Sequence, residues 1–318
     1  MWRRNFIAGL AGTVAFPLTA RAQTPNRIYR LGHLSNSPDS EARQIILPEL
    51  AKLGFVEGRN LVFDERIGEP GALPGLMREL LAGQPDAVIA NGPSAILPAG
   101  AATRTVPIVT FGPDPIELGL AASYARPGGN VTGVVILINE LEGKRLSILH
   151  EAVPDRRRVA ALLSSTGNAV SEPALRKAAA SLGAELLIFT VTTPADYPAA
   201  FAAMRAQGAQ ALVISVSPEF YRDGKLLAGL ALKARLPTVC EWAEMAHAGC
   251  LIGYGPSRIA LRKRMADQIA QIFRGVPPGV IPIERPAVFE FALNLRIAKS
   301  LDLIVPLTLI ARADEVIK

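Results

Sequence analysis

Short apolar runs ending in Gly, Pro or Asn recur along the chain, each followed by a stretch in which apolar residues return every three or four positions. The first pattern marks a strand and the second an amphipathic helix. Read this way, the sequence predicts strands over residues 27–34, 61–66, 87–90, 106–111 and 131–136, with helices over 39–53, 73–82 and 94–102 between them. The pattern restarts with helix 140–152, strand 158–163, helix 170–182, strand 185–191, helix 197–207, strand 211–215, helix 219–234 and strand 237–240. Runs such as Ala87-Val88-Ile89-Ala90 and Ala211-Leu212-Val213-Ile214 lack polar alternation, as strands buried on both faces do. Strands alternating with helices imply an α/β fold with parallel sheets covered on both sides.

About five strands precede Asn139 and about five follow it before Gly249. Two doubly wound lobes fit this count better than a closed eight-fold barrel, which shares the alternation. The tail decides against the barrel. Strand 251–254, helix 257–273 and the Pro-rich stretch 276–286 read as a return to the first lobe, and strand 287–294 as a crossing back. The expected division is residues 1–22 as an export signal, 23–138 plus 252–281 as lobe 1, and 139–251 plus 282–318 as lobe 2. Three crossings between two lobes make a hinge.

The signal reading comes from Met1-Trp2-Arg3-Arg4-Asn5-Phe6-Ile7, an uncharged apolar run over 8–20, and Ala20-Arg21-Ala22-Gln23. A basic start, a short apolar core and a small-x-small site are the parts of an export signal, here with cleavage after Ala22. The paired arginines resemble a twin-arginine signal. Trp2 stands where such signals carry Ser or Thr, so the twin-arginine and general secretory routes both stay open. The expected location is the periplasm. No later stretch is apolar for long enough to span a bilayer.

Composition narrows the classes further. The 318 residues are 50% hydrophobic and 19% charged, with a mean hydropathy of +0.27, which excludes a disordered chain. Basic residues outnumber acidic ones 34 to 28, and Arg3, Arg4 and Arg21 lie within the acid-free signal. The small surplus that remains is spread along the chain and gives no footprint for nucleic acid. The two cysteines, Cys240 and Cys250, could pair in an exported protein. Two separate buried thiols is the preferred reading, because nothing in the sequence brings the sulfurs together. His33, His150 and His247 are scattered, so no metal site and no cofactor is expected.

In open α/β sheets, ligands bind beyond the carboxyl ends of the strands. The loops there supply the candidate ligand contacts: Ser35, Asn36, Gly92, Ser94, Asp114, Asn168, Ser217, Phe220, Glu241, Trp242 and Tyr254. Ser94 can cap a helix whose positive end would receive a carboxylate, or it is a plain N-cap. Asp114, between two prolines, could meet an amine or simply hold its turn. Phe220, Trp242 and Tyr254 could wall a pocket or pack between the lobes. Asn168 is assigned to lobe 2, and Ser94, Asp114 and Tyr254 to lobe 1. Enzyme signatures are missing. The segment Arg126-Pro127-Gly128-Gly129-Asn130 opens no phosphate loop, Gly68 to Gly75 has the wrong spacing for a dinucleotide fingerprint, and no Gly-x-Ser-x-Gly elbow occurs. Arg262-Lys263-Arg264 reads as the polar face of a helix. No catalytic residue is expected.

Several segments resemble, in order, a known family. They are Leu53-Gly54-Phe55-Val56-Glu57-Gly58-Arg59-Asn60, Asp114-Pro115 with Gly119-Leu120, and Arg126-Pro127-Gly128-Gly129-Asn130-Val131-Thr132-Gly133. They continue with Glu142-Gly143-Lys144-Arg145-Leu146, Glu241-Trp242, Tyr254-Gly255-Pro256 and the closing Leu309-Ile310-Ala311-Arg312-Ala313-Asp314-Glu315-Val316-Ile317. Together they resemble the solute-binding proteins of ABC transporters, in the family that includes tryptophan and tyrosine binders. The resemblance implies a type I periplasmic-binding fold, a monomer, and one small-molecule ligand delivered to permease subunits. An aromatic amino acid or a related compound is the implied ligand. The chain departs from the family at Gly253, where relatives carry Ser, and at Asn91-Gly92-Pro93-Ser94, both near the implied site. An exported sensory module or an exported enzyme using the same cleft are the alternatives.

Overall fold

The computed structural model describes residues 27–38, 41–166 and 168–318, so the expected signal segment lies outside the described residues. The chain begins with β1 (Tyr29–Ser35), a π-helical stretch (Ala42–Ile46) continuing into α1 (Leu47–Lys52), and β2 (Leu61–Ile67). It goes on through α2 (Leu73–Ala82), β3 (Ala87–Asn91), α3 (Pro93–Ala102), β4 (Ile108–Gly112) and β5 (Val131–Val135). These five strands form one parallel sheet in the order β2-β1-β3-β4-β5. Every residue of β3, β4 and β5 is buried, as their continuous apolar runs require.

The second half runs α4 (Ile138–Ala152), β6 (Arg158–Ser164), α5 (Asn168–Leu182), β7 (Glu185–Val191), α6 (Tyr197–Ala206) and β8 (Ala211–Ile214). Next come α7 (Pro218–Arg222), α8 (Gly224–Lys233), β9 (Thr238–Cys240), α9 (Met245–Ala248) and β10 (Ile252–Pro256). The tail is α10 (Arg258–Phe273), β11 (Phe289–Asn294), α11 (Leu295–Ser300), α12 (Leu307–Arg312) and β12 (Glu315–Ile317). Seven strands form the second sheet in the order β12-β11-β10-β9-β8-β6-β7, parallel except for the β10–β11 pair. Two α/β lobes result, as the alternation predicts. No helix among the described residues is long and apolar enough to cross a membrane.

Three expectations need correction. Four strands, β6 to β9, lie between Asn139 and Gly249 where about five were expected. The single helix expected over 219–234 is broken at Asp223–Gly224 into α7 and α8. The strand expected to return to the first lobe is β10, and it sits inside the second sheet between β9 and β11. The return to lobe 1 therefore begins after Pro256, with α10. This helix is capped by Ser257, whose hydroxyl accepts the Ala260 N–H at 3.4 Å, and it packs on α1 and on strands β3 to β5. Gln268 anchors it by donating to the carbonyls of Gly133 and Pro282, both at 3.0 Å.

The crossings run side by side. Val135 donates its N–H to the Glu284 carbonyl at 3.0 Å, Glu284 donates to Gly133 at 2.9 Å, and Ser257 donates to Val288 at 2.9 Å. Leu137, which starts the first crossing into α4, holds φ 53° and ψ 49°, a left-handed conformation that costs a non-glycine residue about 1–2 kcal/mol. Extended segments joined by few hydrogen bonds, with one strained residue, suit a hinge.

Candidate functional site

The carboxyl ends of the strands from both sheets border one cavity between the lobes. Lobe 1 contributes Ser37 and Pro38 after β1, Asn91 to Pro93 after β3, and Phe111 to Pro113 at the end of β4. Lobe 2 contributes Val216, Pro218 and Tyr221 around α7 and Glu241-Trp242 after β9, while Arg258 and Arg262 reach in from α10. Phe111 and Trp242 come from opposite lobes, yet their rings lie 6.1 Å apart at 27°. The Arg258 guanidinium sits 3.6 Å over the Tyr221 ring and 4.9 Å from that of Trp242, and Arg262 sits 3.9 Å over Phe111. Desolvated cation–π contacts of this kind contribute about 2 kcal/mol each. Glu41 holds both arginines, meeting Arg258 at 2.8 Å and Arg262 at 3.3 Å. The wall thus combines aromatic faces with the two buried guanidinium groups stacked on them, both of which also line the cavity.

On the lobe 2 side a second buried charge network sets the wall in place. Arg145 of α4 is 1% exposed; it donates from Nε to the Tyr254 carbonyl at 2.8 Å and from Nη2 to the Glu241 carbonyl at 3.1 Å. Its Nη1 faces Glu142 at 3.7 Å, and Glu142 accepts the Val216 N–H at 3.2 Å. Burial pushes the Glu142 carboxyl above the usual range. Glu241 is pushed up to about 8 by burial, against the pull of the Arg145 and Arg258 charges. Its side chain accepts the Ser217 N–H at 3.5 Å.

Cys240 and Cys250 form a disulfide, with Cα atoms 6.4 Å apart, contrary to the expectation of separate thiols. The pairing is long-range in its cause: β9 and β10 are neighbours in the sheet, and α9 folds the segment between them back, which spacing alone does not reveal. The bridge closes the loop that carries Glu241 and Trp242. Gly253 and Gly255 of β10 let this loop approach, since an added Cβ would overlap the carbonyls of Trp242 and Glu241 respectively. A serine at position 253 would not fit this packing.

Of the residues singled out from sequence, Gly92, Glu241 and Trp242 line the cavity. Asn36 and Phe220 line a smaller pocket beside it. The Ser35 hydroxyl is turned onto its own loop, donating to the Ser37 carbonyl at 2.7 Å. Ser94 is the second residue of α3, not its cap, which is Gly92; its hydroxyl is buried without a partner among the described residues. Asp114 holds its turn by accepting the Ile116 N–H at 2.8 Å and the Tyr124 hydroxyl, and it borders a separate pocket with Tyr124 and Leu137. The Asp114 hydrogen bond pushes Tyr124 up to about 12. Ser217 stands at the N-cap position of α7, but its hydroxyl makes no capping bond and donates to Glu219 instead. Asn168 opens α5, and the contact expected of its side chain falls outside the described part of the structure. Tyr254 lies in lobe 2, not lobe 1, packed against Phe289 and Phe291 at 6.4 and 6.2 Å.

Sequence reasoning missed Phe111, Tyr221, Arg258 and Arg262 as cavity residues, and Arg145 behind them. Arg262, read as part of a polar helix face, is wholly buried, whereas Arg264 on the same helix is about half exposed. The available signal was the four-residue spacing of Arg258 and Arg262 in the first turns of α10, directly after the crossing.

The family described as ABC transporter substrate binding protein matches residues 34–317. A tyrosine-binding protein of Clostridioides difficile (strain R20291) is similar at 19% identity over 268 residues, covering 83% of this chain and 77% of that protein. Among solved structures, a conserved domain protein of Vibrio cholerae aligns with a TM-score of 0.85 and 21% identity, covering 91% of this chain and 100% of that one. An ABC domain from Streptococcus pneumonia in complex with L-Trp gives 0.82 and 19%, again covering 91% and 100%. These likenesses extend over both lobes and establish the fold as that of periplasmic binding proteins. With the family match spanning nearly the whole described chain, the protein belongs to the ABC transporter substrate-binding protein family.

Proposed function

We propose that this protein is the exported, periplasmic capture component of an ABC uptake system. It closes its two lobes around one small molecule with an aromatic or apolar body, an aromatic amino acid or a close relative, and presents the closed form to the membrane permease. The observation that carries this reading is the cavity itself, bounded by both lobes and walled by Phe111, Trp242 and Tyr221. A ligand touching both lobes favours the closed state by its differential affinity for it, and a permease can read that state. The basic, apolar and small-x-small segments over residues 1–22 support export. The match to a substrate-binding family supports binding without turnover, which is the reading adopted.

Thermal melts with L-tryptophan, L-tyrosine and L-phenylalanine test it. A ligand at a hundred times its Kd adds about 2.7 kcal/mol and raises Tm in proportion. Trp242→Ala should abolish that rise. If no aromatic compound shifts the melt, while native mass spectrometry of the unrefolded protein shows a retained hydrophilic metabolite, the aromatic reading is wrong.

A further inference from the structure

The pocket beside the aromatic cavity has the opposite chemistry. Asn36 and Glu69 reach it from lobe 1, and Ser164, Glu219 and Arg222 from lobe 2. It shares a wall with the cavity, because Ser37 and Pro218 face the cavity while the adjoining Asn36 and Glu219 face this pocket. Asn36 is 7% exposed, yet neither its Oδ1 nor its Nδ2 has a partner among the described residues. A buried carboxamide left in this state is costly unless a visiting group completes it.

Charge says what that group is. Glu219 accepts the Ser164 hydroxyl at 3.3 Å on one oxygen and the Ser217 hydroxyl on the other. A carboxylate has about four lone-pair sites, so it can still accept further bonds. Arg222 is held by Asp223 through two bonds of 2.8 and 2.7 Å, and Asp223 also accepts the Tyr197 hydroxyl at 2.9 Å. Glu69 and Glu219, the two carboxylates of the lining, have no ion-pair partner among the described residues, because its one guanidinium, Arg222, is already matched by Asp223 outside the lining. An anion would be repelled and a neutral acceptor would find few donors. A group rich in N–H donors and positively charged fits both the carboxylates and the Asn36 carbonyl oxygen.

We propose that this pocket seats the protonated amine of a ligand whose aromatic body occupies the adjoining cavity, with Asn36 and Glu219 as its recognition residues. The proposal rests on the aromatic reading of the cavity. It makes the substrate class arylalkylammonium compounds, with amino acids included through their amine.

Two probes that share ring and chain length separate the ends: phenethylamine carries the ammonium and hydrocinnamate carries a carboxylate. Titration calorimetry of the full chain should show phenethylamine binding to the wild type. Asn36→Ala and the isosteric Glu219→Gln should each weaken it by tenfold or more, because a charge-assisted bond is lost. Both variants should bind hydrocinnamate as the wild type does, or more tightly for Glu219→Gln. Unchanged phenethylamine affinity in both variants would overturn the amine seat while leaving the aromatic cavity intact. Equal weakening of both probes would overturn it too, showing a general disturbance of the cleft. Binding of neither probe to the wild type would contradict the aromatic reading itself, and the amine seat with it.

Discussion

The two faces of the cleft are built differently. On the lobe 2 side the wall is locked: Arg145 ties the Glu241 and Tyr254 carbonyls together, Glu142 and Glu241 flank it, and a disulfide closes the loop bearing Trp242. On the lobe 1 side, polar atoms wait: Asn36, Ser37 and Ser94 bury side-chain groups with no partner among the described residues. The lobe 2 network is not fully hydrogen-bonded either, since Glu142 Oε2 and Arg145 Nη1 face each other at 3.7 Å as an ion pair without a hydrogen bond. Its charges are matched, however, whereas the lobe 1 atoms have no partner of either kind among the described residues. One face is therefore tied together by matched charges and a covalent bridge, and the other carries neutral groups with unmet hydrogen bonds, of which Asn36 and Ser37 border the pockets that the proposed ligand would fill.

This contrast can be broken most sharply at Arg145. Arg145→Ala strips the cation from between two buried carboxylates and frees two buried carbonyls, and should lower stability by about 3–5 kcal/mol in a urea titration. A loss below about 1 kcal/mol would mean that the lobe 2 wall is not locked in this way. Opening the Cys240–Cys250 bridge should cost less, about 2–3 kcal/mol, the loop-closure value for the short segment it encloses. The comparison is Tm with and without reductant, and an unchanged Tm would show the bridge to be idle.

The third effect is a pH dependence. Glu241 ionises near 4.5 in an unfolded chain but only near 8 in the fold, because burial disfavours its charge. The folded state binds the proton more tightly, so its contribution is complete below pH 4.5 and is lost as pH rises to about 8. The slope reaches at most about 1.4 kcal/mol per pH unit for one proton. Glu142, raised for the same reason, adds in the same direction. Denaturation of wild type and Glu241→Gln across this window should show a shallower decline in the variant, and parallel curves would refute the assignment. The smallest effect belongs to lobe 1. Ser94→Ala removes a hydroxyl that has no partner, so the empty protein should change by less than about 0.5 kcal/mol. A larger loss would reveal a bond that the contrast denies.

The fold was largely legible in the sequence, because uniform apolar runs such as 87–90 and 211–214 admit little but buried strands. What escaped was long-range. Residues 251–254 look like any strand, and their place between β9 and β11 is decided by sheet pairing and by the close approach at Gly253 and Gly255. The disulfide follows from that same pairing. In the cleft, Glu241 and Trp242 were found because they follow a strand end, the general rule for such sheets. Asp114 stood at a similar place, but its turn absorbs both carboxylate oxygens. Arg258 and Arg262 were hidden by their type, since charged residues at helical spacing usually face water. Here the aromatic rings and Glu41 compensate their burial.

Hydrogen exchange of the full chain, with and without saturating L-tyrosine, tests the central claim most directly. If the ligand completes an unsatisfied lobe 1 face against a rigid lobe 2 face, amides at 35–38 and 91–94 should slow strongly. Those at 216–221 and 240–242, already protected, should slow by a smaller factor in the same experiment. Slowing confined to one lobe, or no slowing at either, would contradict a ligand held between the two.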